Sequence, residues 1–266
     1  MRRLAIVGTA VAFLVGAAAA YATFYNSYNG SKLHFAPKVA GSKAHPAPVG
    51  LTEVLKAGST SSGDRAAPLK DVKITVYGVV SNGGKLPVCT DKMIESAGAA
   101  GGFDKACPKG SLIAQGPVSS LLGPYNDPTT SHSVPCNPFL HVYNGGKKTV
   151  VNFFTTNATH QCHGLVTGQT APYDGHISYR RGNWVLDTPL PADISTQVAG
   201  QPGLYGSLIA ETLNYSRSTT VKGKVLHYMD SVACGKHNKR SYLIQFTSQQ
   251  YSGGDVTQKT KGTDKC

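Results

Sequence analysis

Residues 71–80 constrain the fold of this chain more than any other stretch. Val72, Ile74 and Val76 alternate with Lys73, Thr75 and Tyr77, so an extended backbone puts apolar side chains on one face and polar ones on the other. A turn at Asn82-Gly83-Gly84 follows, and then a loop that Cys89 and Cys107 are placed to clip shut. The pattern recurs. Residues 111–122 read as a second strand stopped by Gly123-Pro124. Residues 139–143 and 149–154 flank Asn144-Gly145-Gly146 as a hairpin, because Asn-Gly accepts the positive backbone dihedrals of a tight turn. Further strands are expected over 175–179, 183–186, 204–215, 224–232 and 241–249, and a short helix over 91–97. Short strands separated by Gly, Pro and Asn, without alternating helices, predict an all-β fold. The expectation is an antiparallel β-sandwich, immunoglobulin-like or jelly-roll-like, with disulfide-clipped loops.

The N-terminus sets the compartment. Arg2-Arg3 precede an apolar run from Leu4 to Ala20 with small residues at Ala18, Ala20 and Ala22. Residues 1–22 read as a signal peptide or, if uncleaved, as an N-terminal membrane anchor. Residues 23–67 are rich in Ser, Gly, Pro and Ala and read as a flexible linker, within which 51–56 could form a helical turn or a first strand on the domain edge. The β-sandwich domain is expected over 68–266. Six cysteines, Cys89, Cys107, Cys136, Cys162, Cys234 and Cys266, follow the apolar segment, and an even number in an exported chain argues for three disulfides. Six cysteines allow 15 pairings; sequential pairing is preferred because each neighbouring pair brackets a loop-rich stretch.

A resemblance rests on short motifs: Pro87-Val88-Cys89, then 106–116 (Ala106-Cys107-Pro108-Lys109-Gly110-Ser111 onward), a Gly-rich hairpin, and Cys234 followed by Tyr242-Leu243-Ile244-Gln245-Phe246, Gly253-Gly254 and the terminal Cys266. Over 68–266 these look like a family of secreted β-sandwich proteins of high-GC Gram-positive bacteria. The resemblance implies fold, export and the pairings Cys89 to Cys107 and Cys234 to Cys266. It brings no activity with it, and Cys136 and Cys162 fall outside its pattern.

Candidate chemistry is weighed from residue types. His141, His160, His163 and His176, with Cys136 and Cys162 nearby in sequence, carry ligands that zinc prefers, but their spacing matches no established metal motif and an exported cysteine favours a disulfide. Ser207 and Ser111 lack the glycine context of a nucleophile elbow. Glu211 with Asp174, Asp187 or Asp193 offers carboxyls for glycoside hydrolysis, yet aspartates in turns more often bond their own backbone. Tyr173, Tyr179, Trp184 and Tyr205 offer rings for a carbohydrate surface, although alternation favours packing for most of them and the core for Trp184.

Charge is the broadest signal. There are 26 Lys and Arg against 14 Asp and Glu, a formal net charge of +12. The C-terminal part concentrates Lys222, Lys224, Lys236, Lys239, Arg240, Lys259, Lys261 and Lys265, a basic surface suited to an anionic cell-wall polymer or membrane surface. Nucleic acid is a poor partner without stacking aromatics among the charges. The expected function is an exported, non-enzymatic interaction or structural module of the cell envelope or extracellular space, without cofactor. The alternative is a secreted hydrolase or zinc-dependent enzyme built on His141, His160, His163 and His176, and convergence of those imidazoles in one cleft would decide between them.

Overall fold

A computed structural model describes residues 26–99, 106–163, 168–196, 198, 203–215, 218–221, 223–251 and 253–266. The signal or anchor expected over 1–22, and Lys222, lie outside the described residues. Among the described residues no helix is long and apolar enough to cross a membrane.

The first strands are β1 (Asn26–Ser27), β2 (Lys32–Ala36), β3 (Ala47–Pro48), β4 (Gly50–Lys56), β5 (Gly58–Ser59), β6 (Leu69–Tyr77) and β7 (Val79–Ser81). Helix α1 (Asp91–Ala99) precedes β8 (Leu112–Pro124), β9 (Val134–Cys136), β10 (Phe139–Asn144), β11 (Thr149–Thr156), β12 (Gly168–Gln169) and β13 (Tyr173–Arg180). The rest are β14 (Asn183–Pro189), β15 (Leu204–Tyr215), β16 (Ser218–Val221), β17 (Lys224–His227), β18 (Met229–Ser231), β19 (Lys239–Gln249) and β20 (Asp255–Lys265). The chain is all-β and antiparallel, as its alternation predicts.

Thirteen of these strands form one sheet, in the order β2-β4-β15-β8-β10-β11-β13-β14-β6-β19-β20, with β9 and β12 paired at its side. Its two end strands meet. The Phe35 N–H on β2 donates to Asp264 Oδ2 on β20 at 2.6 Å, and Gln258 Nε2 donates to the Asn26 carbonyl at 2.6 Å. Tyr28 stacks on Phe246 across the same seam, with ring centroids 3.8 Å apart. The sheet therefore curls into a closed, barrel-like form whose seam is held by side chains instead of a backbone ladder. Closure of this kind removes the exposed sheet edge on which foreign strands can add.

Period-two alternation decides what lies inside. Val72, Ile74 and Val76 on β6, Trp184 and Leu186 on β14, and Ile244 and Phe246 on β19 are all buried in one continuous core. Trp184 is 0% exposed, so the single tryptophan is a core residue, as expected. A three-stranded sheet, β3-β18-β7, brings Val79, Tyr228 and Met229 into that core. Outside the barrel wall, α1 and the Cys89–Cys107 disulfide cover Tyr143, Val151 and Phe153 of β10 and β11. The buried Asn144 amide fixes that loop by donating to the carbonyls of Gly83, Leu86 and Pro87 at 2.9, 3.3 and 2.9 Å. All three disulfides join sequence neighbours: Cys89–Cys107, Cys136–Cys162 and Cys234–Cys266.

One expectation is corrected. From Asn26 onward, 23–67 is not a flexible linker, since it supplies β2 and β4 to the main sheet. Leu33, Phe35, Leu51 and Leu55 alternate in these strands and are buried. Asn26 ties the segment down by bonding Ala67 through both its carbonyl (3.0 Å) and its N–H (2.7 Å). Ser, Gly and Pro on either side disguise two short strands as a tether. The domain therefore begins some forty residues before Pro68.

Candidate functional site

The barrel interior is not filled throughout. A cavity of about 230 Å³ lies among the inward-facing residues of β4, β6, β8, β10, β11, β13, β14 and β15. An apolar cavity of about 150 Å³ already accommodates benzene. Most of the wall is hydrocarbon: Leu55, Val72, Val118, Leu140, Phe154 and Leu186 are representative. The Cys136–Cys162 disulfide forms part of the wall, held by the Ser120 hydroxyl, which donates to the Cys136 carbonyl. Leu190, Ile194 and Val198, from the connection between β14 and β15, cover the adjoining end.

Two of the chain's three glutamates face this cavity. Glu53 sits on the inward row of β4 between Leu51 and Leu55 and is 3% exposed. Glu211 reaches the interior through a β-bulge. Leu208 pairs with Ser120, Ala210 with Ser119 and Glu211 with Val118, so Ile209 is an extra residue in β15. The bulge shifts the inward row from Gly206 and Leu208 to Glu211, Leu213 and Tyr215, and leaves Ile209 exposed. Without it, Glu211 would point to solvent. Close backbone approach accompanies this path: a Cβ on Gly116 of β8 would fall 1.7 Å from the Thr212 carbonyl oxygen, so no larger residue fits there.

The register sets the two acids as diagonal neighbours on one face, because Glu53 pairs with Leu213 and Leu55 with Glu211. Burial raises the pKa of both. Glu211 is pushed up to about 7, and Glu53 well above its ordinary value by burial and then by the Glu211 charge, with a hydrogen bond from Tyr215 acting the other way. The Tyr173 hydroxyl is raised by burial and by the same two carboxyls. Glu53 Oε2, Gln169 Oε1 and Thr156 Oγ1, all on the cavity wall, have no hydrogen-bond partner. No Lys, Arg or His is among the described residues that line it. The arrangement is an oily chamber with uncompensated acceptors and acids.

The expected site residues lie elsewhere. His141 stands on the outer face of β10, bonded to Thr155 Oγ1 at 3.0 Å and stacked on Phe153, and it shares the Phe139 ring with His160. His176 is opposite Thr149, four residues along β11 from Phe153, which is about 13 Å at strand rise. His163 is exposed after the Cys136–Cys162 bridge. The four imidazoles thus do not meet in one cleft. Among the described residues no group of three or more His, Cys, Asp or Glu is arranged to hold a metal. Ser111 donates to the Pro108 carbonyl, and Ser207 lies 3.4 Å from the Tyr251 hydroxyl. Asp174 and Asp187 lie on strand rows facing away from the core, whereas Asp193 joins Glu211 on the cavity wall. Tyr173 lines the cavity, Trp184 is core and Tyr205 packs on Tyr125 at 4.6 Å, so these rings do not form one sugar-binding surface.

Of the basic residues expected on the C-terminal surface, the described lysines are exposed and Arg240 is not. Lys224, Lys236, Lys239, Lys259, Lys261 and Lys265 are exposed. Lys259, Lys261 and Lys265 share the outward row of β20, and Lys239 pairs with Lys265 across the ladder. Arg240 does not belong with them, being 0% exposed. It takes the inward parity of Tyr242, Ile244 and Phe246 on β19, donates to Ser231 Oγ at 2.6 Å and lies over the Phe35 ring at 4.7 Å.

No family model, curated protein or solved structure matches the chain. Its three disulfides point to an oxidising, extracellular type of environment.

Proposed function

We propose that this chain is an exported, non-enzymatic binding protein that holds a small, largely apolar molecule inside its barrel. The supporting observation is the interior cavity of about 230 Å³, walled mainly by hydrocarbon and carrying acceptors without partners. Barrel interiors are a recurrent place for such sites, where apolar walls supply affinity and a few polar groups supply orientation. Binding of 1-decanol, followed by thermal shift and calorimetry, tests this reading. The folded protein should gain stability as RT ln(1 + L/Kd), with L the free ligand concentration, about 2.7 kcal/mol at a hundredfold excess of ligand over Kd. Leu140→Trp, which fills the chamber from β10, should lose that gain. Absence of any shift for the wild type at saturating alcohol would overturn the proposal.

The lysine row of β20 supports a second contact, with an anionic wall polymer. Four exposed ammonium groups on one corner of the barrel attract such a polymer without shape-specific pockets. Retention on immobilised poly(glycerol phosphate) should fall as salt rises from 50 to 300 mM, roughly as exposed charges are screened. Charge reversal at Lys259, Lys261 and Lys265 should abolish retention, and salt-insensitive retention would contradict the reading.

A further inference from the structure

We infer that the molecule held in the cavity carries a cationic nitrogen, seated between Glu53 and Glu211, on an alkyl or aryl body that fills the rest of the chamber. This inference rests on the small-molecule reading above and adds the ligand's chemical class. Three observations carry it. First, the polar atoms left without partners on the wall include a carboxylate oxygen of Glu53 and the amide oxygen of Gln169, which only accept hydrogen bonds when Glu53 is ionised. A ligand that completes this wall must donate. Second, no described residue on the cavity wall offers the two acids a cation. The chain has a formal net charge of +12, yet no basic side chain is among the described residues lining the cavity, and its carboxyls are Glu53, Glu211 and Asp193. Buried carboxylates are ordinarily paired or held neutral, so the missing counter-charge is the ligand's to supply. Third, the chamber is amphipathic in the right sense. The acids lie together as diagonal neighbours on β4 and β15, while Leu140, Phe154 and Leu186 provide an apolar wall on β10, β11 and β14.

A primary or secondary amine meets these demands. Its N–H groups can donate to both glutamates, and its charge replaces the proton that burial otherwise keeps on the pair. The titratable groups facing that position are Glu53 on β4, Glu211 and Tyr215 on β15, Tyr173 on β13, and Asp193 before β15. Both tyrosine hydroxyls are held neutral by burial, so the glutamates set the pH response. Because burial raises the pKa of both glutamates, that of Glu211 to about 7, a cation should bind with net proton release, and its affinity should rise as pH increases from about 5.5 to 8.

The test uses three probes of equal length: n-decylamine, 1-decanol and decanoate, titrated calorimetrically into the oxidised protein at pH 8 and pH 5.5. Decylamine should bind about tenfold or more tightly than decanol at pH 8, as charge-assisted hydrogen bonds allow, and decanoate weakest. Exposed lysines would favour decanoate, so preference for the amine reports the interior. Glu53→Gln with Glu211→Gln should weaken decylamine at least about tenfold more than it weakens decanol, erasing the amine preference. Each single variant serves if the double variant fails to fold. Equal binding of amine and alcohol, or a preference unchanged by the variants, would overturn the cationic-ligand inference while leaving the cavity reading intact. Binding of none of the three would overturn both.

Discussion

The two ends of the barrel interior are built from the same alternating strands and do different things. Toward the β3-β18-β7 sheet, Trp184, Val76, Tyr228 and Phe35 are completely or almost completely buried, and rings and branched chains fill the space. Toward the Cys136–Cys162 disulfide, Val72 of β6 and Leu186 of β14 face a cavity together with Phe154, Val118 and Glu211. Each end contains polar atoms without partners, but of different kinds. At the packed end they are N–H and O–H groups: Trp184 Nε1, Tyr228 Oη, and Nε and Nη1 of the Arg240 guanidinium that lies over the Phe35 ring. At the cavity end they belong to a carboxyl, an amide and a hydroxyl that look onto space. One end stabilises the fold, and the other uses part of that stability to keep a chamber open.

The contrast predicts an unequal response to mutation. Trp184→Ala removes the largest fully buried side chain and should cost about 3–5 kcal/mol, read as a drop in denaturant midpoint. Removing the Cys136–Cys162 bridge by paired Cys→Ala substitution should cost about 2–4 kcal/mol, because that loop closure constrains the unfolded chain. It should also weaken decanol binding, since both sulfurs belong to residues on the cavity wall. A small-to-large pair separates the ends directly. Val76→Phe, at a 0% exposed position, should destabilise by about 1–3 kcal/mol. Val118→Phe has the cavity to grow into and should cost less than about half as much. Equal costs would mean that the two ends are equally packed.

How much of this was legible in the sequence depends on where alternation survives. Residues 71–80 and the Asn144-Gly145-Gly146 hairpin declare themselves because their periodicity is unbroken and their turn chemistry is explicit. Strand β20 is hidden. Its Asp-Val-Thr-Gln-Lys-Thr-Lys-Gly-Thr-Asp-Lys run has one strongly apolar residue, since its inward row closes the seam with polar side chains such as Gln258 and Asp264. Strand β4 left a usable signal: Leu51, Glu53 and Leu55 place an acid in the middle of an apolar row. Glu211 could not be placed by period alone, because the bulge at Ile209 reverses which residues face inward. Its partner is none of the aspartates closer in sequence, since the register brings Glu53 from more than 150 positions away. The histidines mislead for the opposite reason. Close in sequence, they fall on two different strands, His141 on β10 and His176 on β13, and on the loop around Cys162, His160 and His163.

The smallest effect is the most diagnostic of the chamber. Glu211 in the folded protein titrates near 7, above its ordinary value of 4.5, so between those values the folded state holds a proton that the unfolded chain has lost. The sign follows: this group favours the folded state at low pH, and its contribution is lost as pH rises from about 4.5 through 7. Glu53 is shifted in the same direction, and its ionisation is opposed further by the Glu211 charge. Glu211→Gln removes one ionisation and relieves the other. Without ligand, the variant should be more stable than wild type by about 1–2 kcal/mol at pH 8 and nearly equal to it at pH 5, measured by urea unfolding at both pH values. Decylamine at saturation should narrow the pH 8 difference by supplying the wild-type pair with a counter-charge that the variant does not need. A Glu211→Gln variant less stable than wild type at pH 8 would mean that the carboxylate already has an internal partner, and the interior would then be a packed polar core instead of a receptive one.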